Sequence, residues 1–161
     1  MSKGETYLLF CLEGEPFSVP VQRVEEVLEY EEPTCIPRSP EYLLGIVNVR
    51  GRLIPILDLR RRFGLPPGEI TVNSRFVVLN LDWEGEAVPL GLLVDTVEGV
   101  IDFEEDLITA PPTLGKNRGD NSFLRGTARH NDSIYMVLEV DRILPGDTLH
   151  RDFATVSGGT Q

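Results

Sequence analysis

The 161-residue sequence, 41% hydrophobic, predicts an all-β fold of two small closed barrels with about five strands each. Three observations point there. Apolar segments of strand length alternate with turn residues, and 15 Gly and 12 Pro supply the turns. No apolar run is long enough for a membrane-spanning helix. The third observation is an internal repeat. Leu44–Phe63 lies without gaps on Arg125–Leu144, so that Gly45 falls on Gly126, Ile56 on Val137, Leu57 on Leu138 and Asp58 on Glu139. Val21–Tyr30, VQRVEEVLEY, lies on Val94–Phe103, VDTVEGVIDF, and Glu13-Gly14-Glu15 matches Glu84-Gly85-Glu86. Collinear blocks in one order make the chain two diverged copies of one β unit.

In chain order, Thr6–Leu12 is a strand, Glu13–Pro16 turns it, and Phe17–Val21 returns. Val21–Tyr30 combines a helical turn with a strand whose apolar positions are Val24, Val27 and Leu28. Glu31–Pro40 is a Pro-marked loop. Leu43–Val49 and Arg52–Leu59 form a hairpin around Arg50-Gly51, where Gly tolerates positive φ. Pro55 cannot donate to a ladder, which places it at a bulge or an edge. Asp58 stands as N-cap of a short helix, Leu59–Phe63, stopped by Gly64 and Pro66-Pro67. Pro66–Asn73 links the copies. Arg75–Asp82 and Ala87–Val94 make the second hairpin, Val94–Phe103 repeats the turn segment, and Glu104-Glu105-Asp106 reads as one helical turn. Ala110–Asn121 is a long loop. Phe123–His130 and Ile134–Val140 form the last hairpin, turned by Asn131-Asp132-Ser133, before a short helix at Asp141–Leu144. The expected domain is residues 1–145, with lobes at about 6–70 and 74–144 and an exchange of terminal strands between them left open. Residues 146–161 read as a frayed polar tail.

A formal charge of −11 argues against a nucleic-acid partner or an anionic membrane surface. The one basic run, Arg60-Arg61-Arg62, reads as a solvated helix face. Cys11 and Cys35 are far apart and lack a motif, so neither a disulfide framework nor a metal site is expected. Met-Ser-Lys-Gly-Glu at the start is no signal peptide, which makes the expected location cytoplasmic, without direct membrane insertion.

Catalysis is not expected either. His130 and His150, the only histidines, read as surface residues rather than general bases. There is no phosphate loop, no cofactor is expected, and the carboxylates read as surface charge. A β-barrel hydrolase or ligand carrier would need converging titratable groups in a polar pocket, which the sequence lacks. Binding remains. Val21–Val27 and Val94–Val100 are equivalent segments, and facing each other across a groove between lobes they would suit an amphipathic helix or helical hairpin; the alternative is that these valines are core.

The residues that carry most information are N-V-R-G-R-L-I-P-I-L-D-L-R at Asn48–Arg60. With Y-L-L-F-x-L-x-G-E-x-F-x-V-P-V from Tyr7, G-L-L-V-D-T-V-E-G-V from Gly91 and F-L-R-G at Phe123–Gly126, this block resembles the CheW family of bacterial chemotaxis coupling proteins over about residues 6–144. The resemblance implies two SH3-like five-stranded barrel lobes packed around a shared hydrophobic core. It implies an adaptor that links the cytoplasmic hairpin tip of chemoreceptors to the regulatory domain of the histidine kinase CheA, regulates the kinase and builds signalling arrays. A CheW-like adaptor in a type IV pilus or biofilm pathway is the alternative. No receiver domain is expected after Leu144, and the protein alone is expected to be a monomer. The family's coupling positions fall on Val24, Glu26, Gly45, Arg50, Val97, Val100 and Gly126, with Asn48 beside them in the signature. Arg50 and Glu26 read as a charged pair near the groove, acting by contact or by fastening the turn; Gly45 and Gly126 read as backbone requirements. Only the first copy carries the signature, since Asn131-Asp132 replace Arg50-Gly51, so the lobes are expected to do different jobs.

Overall fold

Four hairpins carry the fold, and all four turn alike. Their central pairs are Glu13-Gly14 (φ 53° and 78°), Arg50-Gly51 (54° and 83°), Glu84-Gly85 (50° and 86°) and Asn131-Asp132 (51° and 68°). Positive φ at both residues is the twist that lets two right-handed strands continue side by side. The structure, a computed structural model, describes residues 4–104, 108–109 and 123–144. In order, the elements are β1 (Gly4–Leu12), β2 (Glu15–Pro20), a 3-10 turn η1 (Val21–Arg23), β3 (Val24–Glu29), β4 (Leu43–Val49), β5 (Arg52–Asp58), α1 (Leu59–Arg62), β6 (Arg75–Trp83), β7 (Glu86–Val94), β8 (Thr96–Glu104), β9 (Ile108–Thr109), β10 (Leu124–His130), β11 (Ser133–Leu138) and a second 3-10 turn η2 (Val140–Arg142).

The strands form two sheets, ordered β3-β6-β7-β5-β4 and β8-β1-β2-β11-β10-β9. The repeat maps one order onto the other, with β9 added. Neither sheet belongs to one half of the sequence: hairpin β6-β7 sits among β3, β4 and β5, and hairpin β1-β2 sits among β8, β10 and β11. The parallel contacts are equivalent too, Ile56 opposite Gly91 and Val137 opposite Ser18. Even the irregularities recur: a bulge skips Glu25 between Val24 and Glu26, and another skips Glu98 between Val97 and Gly99.

Strands β1 and β6 are buried on both faces, which explains their unbroken apolar runs. In β6, Val77, Leu79 and Leu81 point into a central core, and Phe76 and Val78 point into their own lobe with Val47, Ile54 and Ile56. In β1, Leu8, Phe10 and Leu12 join the same central core, while Tyr7 packs with Ala128 and Val137. The shared core is therefore assembled from the hairpins that each half lends to the other's sheet.

Several expectations need correction. Pro55 is buried in β5 opposite Ile46 rather than at a register shift, and it lies on the stretch whose other side is still an edge, one residue before the ladder with β7 begins at Ile56. Its missing N–H thus falls just short of that ladder. Glu104 ends β8 instead of opening a helical turn; Glu105-Asp106, the Ala110–Asn121 loop and the tail beyond Leu144 lie outside the described residues. The closing helix is the 3-10 turn Val140–Arg142. Asp58 does cap α1, its Oδ1 accepting from the Arg60 amide at 3.1 Å.

Candidate partner-binding site

The β4–β5 turn is built by its own sequence. Asn48 Oδ1 accepts the Gly51 amide at 2.9 Å, so this exposed side chain holds the turn. The second hairpin has the same device, Asp82 Oδ1 accepting from Gly85 N at 3.1 Å. Arg50, at the tip, then reaches across to β3, where Nη2 meets Glu26 Oε2 at 2.7 Å; its side chain remains 72% exposed. Arg52 makes a two-pronged contact with Glu25, at 2.7 and 3.2 Å. The bulge in β3 puts Glu25 and Glu26 beside each other in this role. Two arginines from the turn are thus clamped to two glutamates on the opposite edge strand of one sheet. A hollow of about 340 Å³ opens here, lined among others by Leu28, Val47, Asn48, Val49, Arg50 and Phe76. Val27 is exposed beside Glu26 on β3.

The equivalent end of the other sheet keeps the shape and loses the charges. Gly99 stands where Glu26 would be and Asn131 where Arg50 would be. Glu98, the counterpart of Glu25, accepts from the Thr96 hydroxyl at 2.6 Å. Val100, counterpart of Val27, is 63% exposed, and Ile134, counterpart of Leu53, is exposed as well. One end is a charged clamp beside a hollow of mixed lining, which also includes Glu29 and Glu31, and the other end lacks the clamp and exposes Val100 and Ile134.

The remaining sequence-derived positions sit deeper. Val24 and Val97 are half-buried and pack against the central core. Gly45 and Gly126 are buried. A Cβ on Gly45 would lie 2.1 Å from the Thr34 carbonyl oxygen, and one on Gly126 2.2 Å from that of Thr109. Each glycine admits a neighbouring backbone to the outer side of a hairpin: Thr34 bridges to Ile46, and β9 pairs Thr109 with Thr127. Of the eight positions, the structure brings Glu26, Asn48 and Arg50 together at one surface, puts Val100 on the opposite lobe's edge, and gives the other four packing roles.

The basic run is not a solvated face. Arg60, 15% exposed, donates from Nε and Nη2 to Asp95 at 3.0 and 2.6 Å. Arg62 donates to the Ile143 carbonyl and lies over the Phe123 ring at 5.3 Å. Arg61 contacts Asp58 at 3.1 Å. A helix of one turn points successive residues in different directions, so three arginines in it cannot share a face. A second pair missed by sequence reading is Arg23 with Asp141, where Nη1 meets Oδ2 at 3.3 Å. Burial pushes the Asp95 and Asp141 carboxyls up, but their arginines, with the Glu13 and Asp82 amides, outweigh it and hold both below the usual carboxylate range. Burial also pushes the half-buried Cys11 thiol up, away from reactivity. Among the described residues no group of His, Cys, Asp and Glu could hold a metal ion, and no helix is long and apolar enough to cross a membrane.

Two interlocked β sheets, with exposed charge and apolar side chains at their ends, define a protein-binding module of the all-β class. The chain belongs to the CheW-like domain family, whose model matches residues 6–147. It is similar to the chemotaxis protein CheW of Bacillus subtilis (strain 168), 25% identical over 141 residues that cover 88% of this chain and 87% of that protein. It is 28% identical to CheW of Thermotoga maritima over 140 residues, 85% of each chain. Among solved structures it matches the scaffolding protein TtCheW from Thermoanaerobacter tengcongensis, with a TM-score of 0.79, 29% identity and coverage of 91% of this chain and 96% of that one. At the level of the family this is a chemotaxis adaptor and scaffold, a non-catalytic class.

Proposed function

We propose that this chain couples the cytoplasmic tip of methyl-accepting chemoreceptors to the regulatory domain of the histidine kinase CheA, as a monomer recruited from the cytoplasm to receptor arrays. The observation that carries the reading is the Arg50–Glu26 clamp beside the hollow lined by Leu28, Val47, Val49 and Phe76. A hollow with an apolar floor of Leu28, Val47, Val49 and Phe76 and polar sides of Glu29, Glu31, Asn48 and Arg50 suits a helical element that sets an apolar stripe on the floor and pairs its polar flank with the sides. Arg50 supports the reading further, because a 72% exposed ion pair contributes little to stability. Glu26, Asn48 and Arg50 are assigned to one partner surface and Val100 with its edge to a second, so that two different partners engage the two lobes. Val24, Val97, Gly45 and Gly126 shape these surfaces from below.

The test is a titration of the purified protein with the isolated CheA regulatory domain, and separately with a receptor-tip fragment. Saturable binding of both, with Arg50→Glu weakening one and sparing the other, supports the assignment. Binding of neither defeats the coupling role.

A further inference from the structure

The hollow at the clamped end is polarised from one wall to the other. Glu29 and Glu31 stand on the β3 side, and Asn48 and Arg50 stand on the turn side. Ionised carboxylates only accept hydrogen bonds. Glu29 lies opposite Arg75 in the β3–β6 register, yet Arg75 turns away and donates to the Val72 and Ser74 carbonyls, at 2.8 Å each. Among the described residues no ion pair or side-chain hydrogen bond reaches Glu29 or Glu31, and both are exposed. The second lobe uses the counterpart of Glu29 internally: Asp102 accepts the Thr6 hydroxyl at 2.7 Å.

The turn wall is built of donors and carries no net charge. Asn48 uses its Oδ1 to hold the Gly51 amide, which leaves its side-chain N–H groups for another acceptor. Arg50 sets Nη2 on Glu26 and keeps further N–H groups on an exposed guanidinium. Glu26 offsets Arg50, and Glu25 offsets Arg52, so the charge left at the hollow is that of Glu29 and Glu31. A hollow of about 340 Å³ takes side chains rather than a whole helix, which is about 10 Å wide. A helix lying across it therefore keeps its two flanks at the two walls.

We propose that the clamped end takes an amphipathic helix whose apolar stripe has lysine or arginine on one flank, against Glu29 and Glu31, and uncharged acceptors on the other, against Asn48 and Arg50. This rests on the assignment of the clamped end to a partner, and it specifies that partner's charge pattern. An acidic flank on either side would set a carboxylate beside Glu26, Glu29 or Glu31, and like charges brought together are penalised. Reversing the helix swaps its flanks, so the unlike walls also select one direction of docking.

The experiment repeats the titrations with the CheA regulatory domain and the receptor-tip fragment at low and at high salt, using the full chain and two double variants. E29Q/E31Q removes the carboxylate wall. E84Q/E86Q makes the same change of net charge on the exposed β6–β7 turn, at the far end of β6 from Phe76. For the titrant that Arg50→Glu weakens, E29Q/E31Q should lower affinity about fivefold at low salt and remove most of its salt dependence, with E84Q/E86Q within about twofold of the parent. An Arg50-sensitive titrant that ignores E29Q/E31Q, or that responds equally to E84Q/E86Q, overturns the inference and leaves the coupling role standing. If neither titrant responds to Arg50→Glu, the site assignment itself has failed. The inference is then judged on three synthetic helical peptides with one apolar stripe and lysine, glutamine or glutamate flanks. The parent should prefer the lysine peptide, and E29Q/E31Q should cut that preference about threefold more than E84Q/E86Q does; equal reductions, or no preference, overturn it.

Discussion

The clamped end of the first sheet and the bare end of the second share a backbone plan and differ in what they offer a partner. At the first, Glu25 and Glu26 on β3 hold Arg52 and Arg50. At the second, Glu98 turns to Thr96, Gly99 replaces the second glutamate, and Val100 and Ile134 stand exposed. Beneath both ends the same things recur: a bulge at the same place, a buried glycine against a carbonyl, a positive-φ turn. The two copies have retained what the backbone requires and differ in what the surface presents, and the proposed assignment of two partners rests on that difference.

The largest effect that could break the comparison lies at the two glycines. Gly45→Val and Gly126→Val should each destabilise by roughly 2–4 kcal/mol in urea unfolding, because the new Cβ meets a backbone carbonyl oxygen, so that backbone rather than a flexible side chain must shift. Gly45 should be the worse, since its φ of 149° is also unfavourable for a side chain. A tolerated Gly126→Val would show that the second copy does not share the first copy's backbone demand. Next, Arg50→Glu should weaken the partner of the clamped end about tenfold or more, near 1.4 kcal/mol, with stability changed by no more than about 0.5 kcal/mol. Isothermal titration beside a urea curve separates these; a collapse of the fold would make the clamp a structural fastening.

Acid should treat the Arg60–Asp95 and Arg23–Asp141 pairs alike. Asp95 and Asp141 both titrate lower in the folded chain than their ordinary 3.8. Folding is therefore favoured by their ionised forms: the contribution is fully present above the ordinary value and is lost as pH falls through the depressed folded one. Asp95→Asn and Asp141→Asn should each flatten the fall of thermal stability below about pH 4, and a variant that leaves the slope unchanged would remove its pair from this account. The smallest effect is at the turns. Asp132 occupies a φ of 68° that Gly holds in the other three hairpins. Asp132→Gly should raise stability by about 0.5 kcal/mol, and calorimetry showing a loss would mean that the Asp side chain is in use.

The turns, the Asp58 cap, the apolar faces and the repeat itself were legible because each is set by residues close in sequence. So was the pairing of Glu26 with Arg50, through the resemblance. The roles of Arg60, Arg62, Asp95 and Asp141 were not. Arg23 and Asp141 are 118 positions apart, and no local rule ties a charge to a partner at that distance. Arg60-Arg61-Arg62 looks like a solvated run until the sheets bring Asp95, Tyr42 and Phe123 to it.

By itself, then, the sequence determined about five strands in each copy, without the added β9: alternating faces, positive-φ turns and two copies of one unit. Periodicity and turn preference act over a few residues and survive in any context. Only the tertiary structure decided which hairpin enters which sheet, which charges pair across the chain, and which of two equivalent ends carries a clamp. Those choices depend on contacts between segments far apart in the chain, which no local pattern in the sequence records.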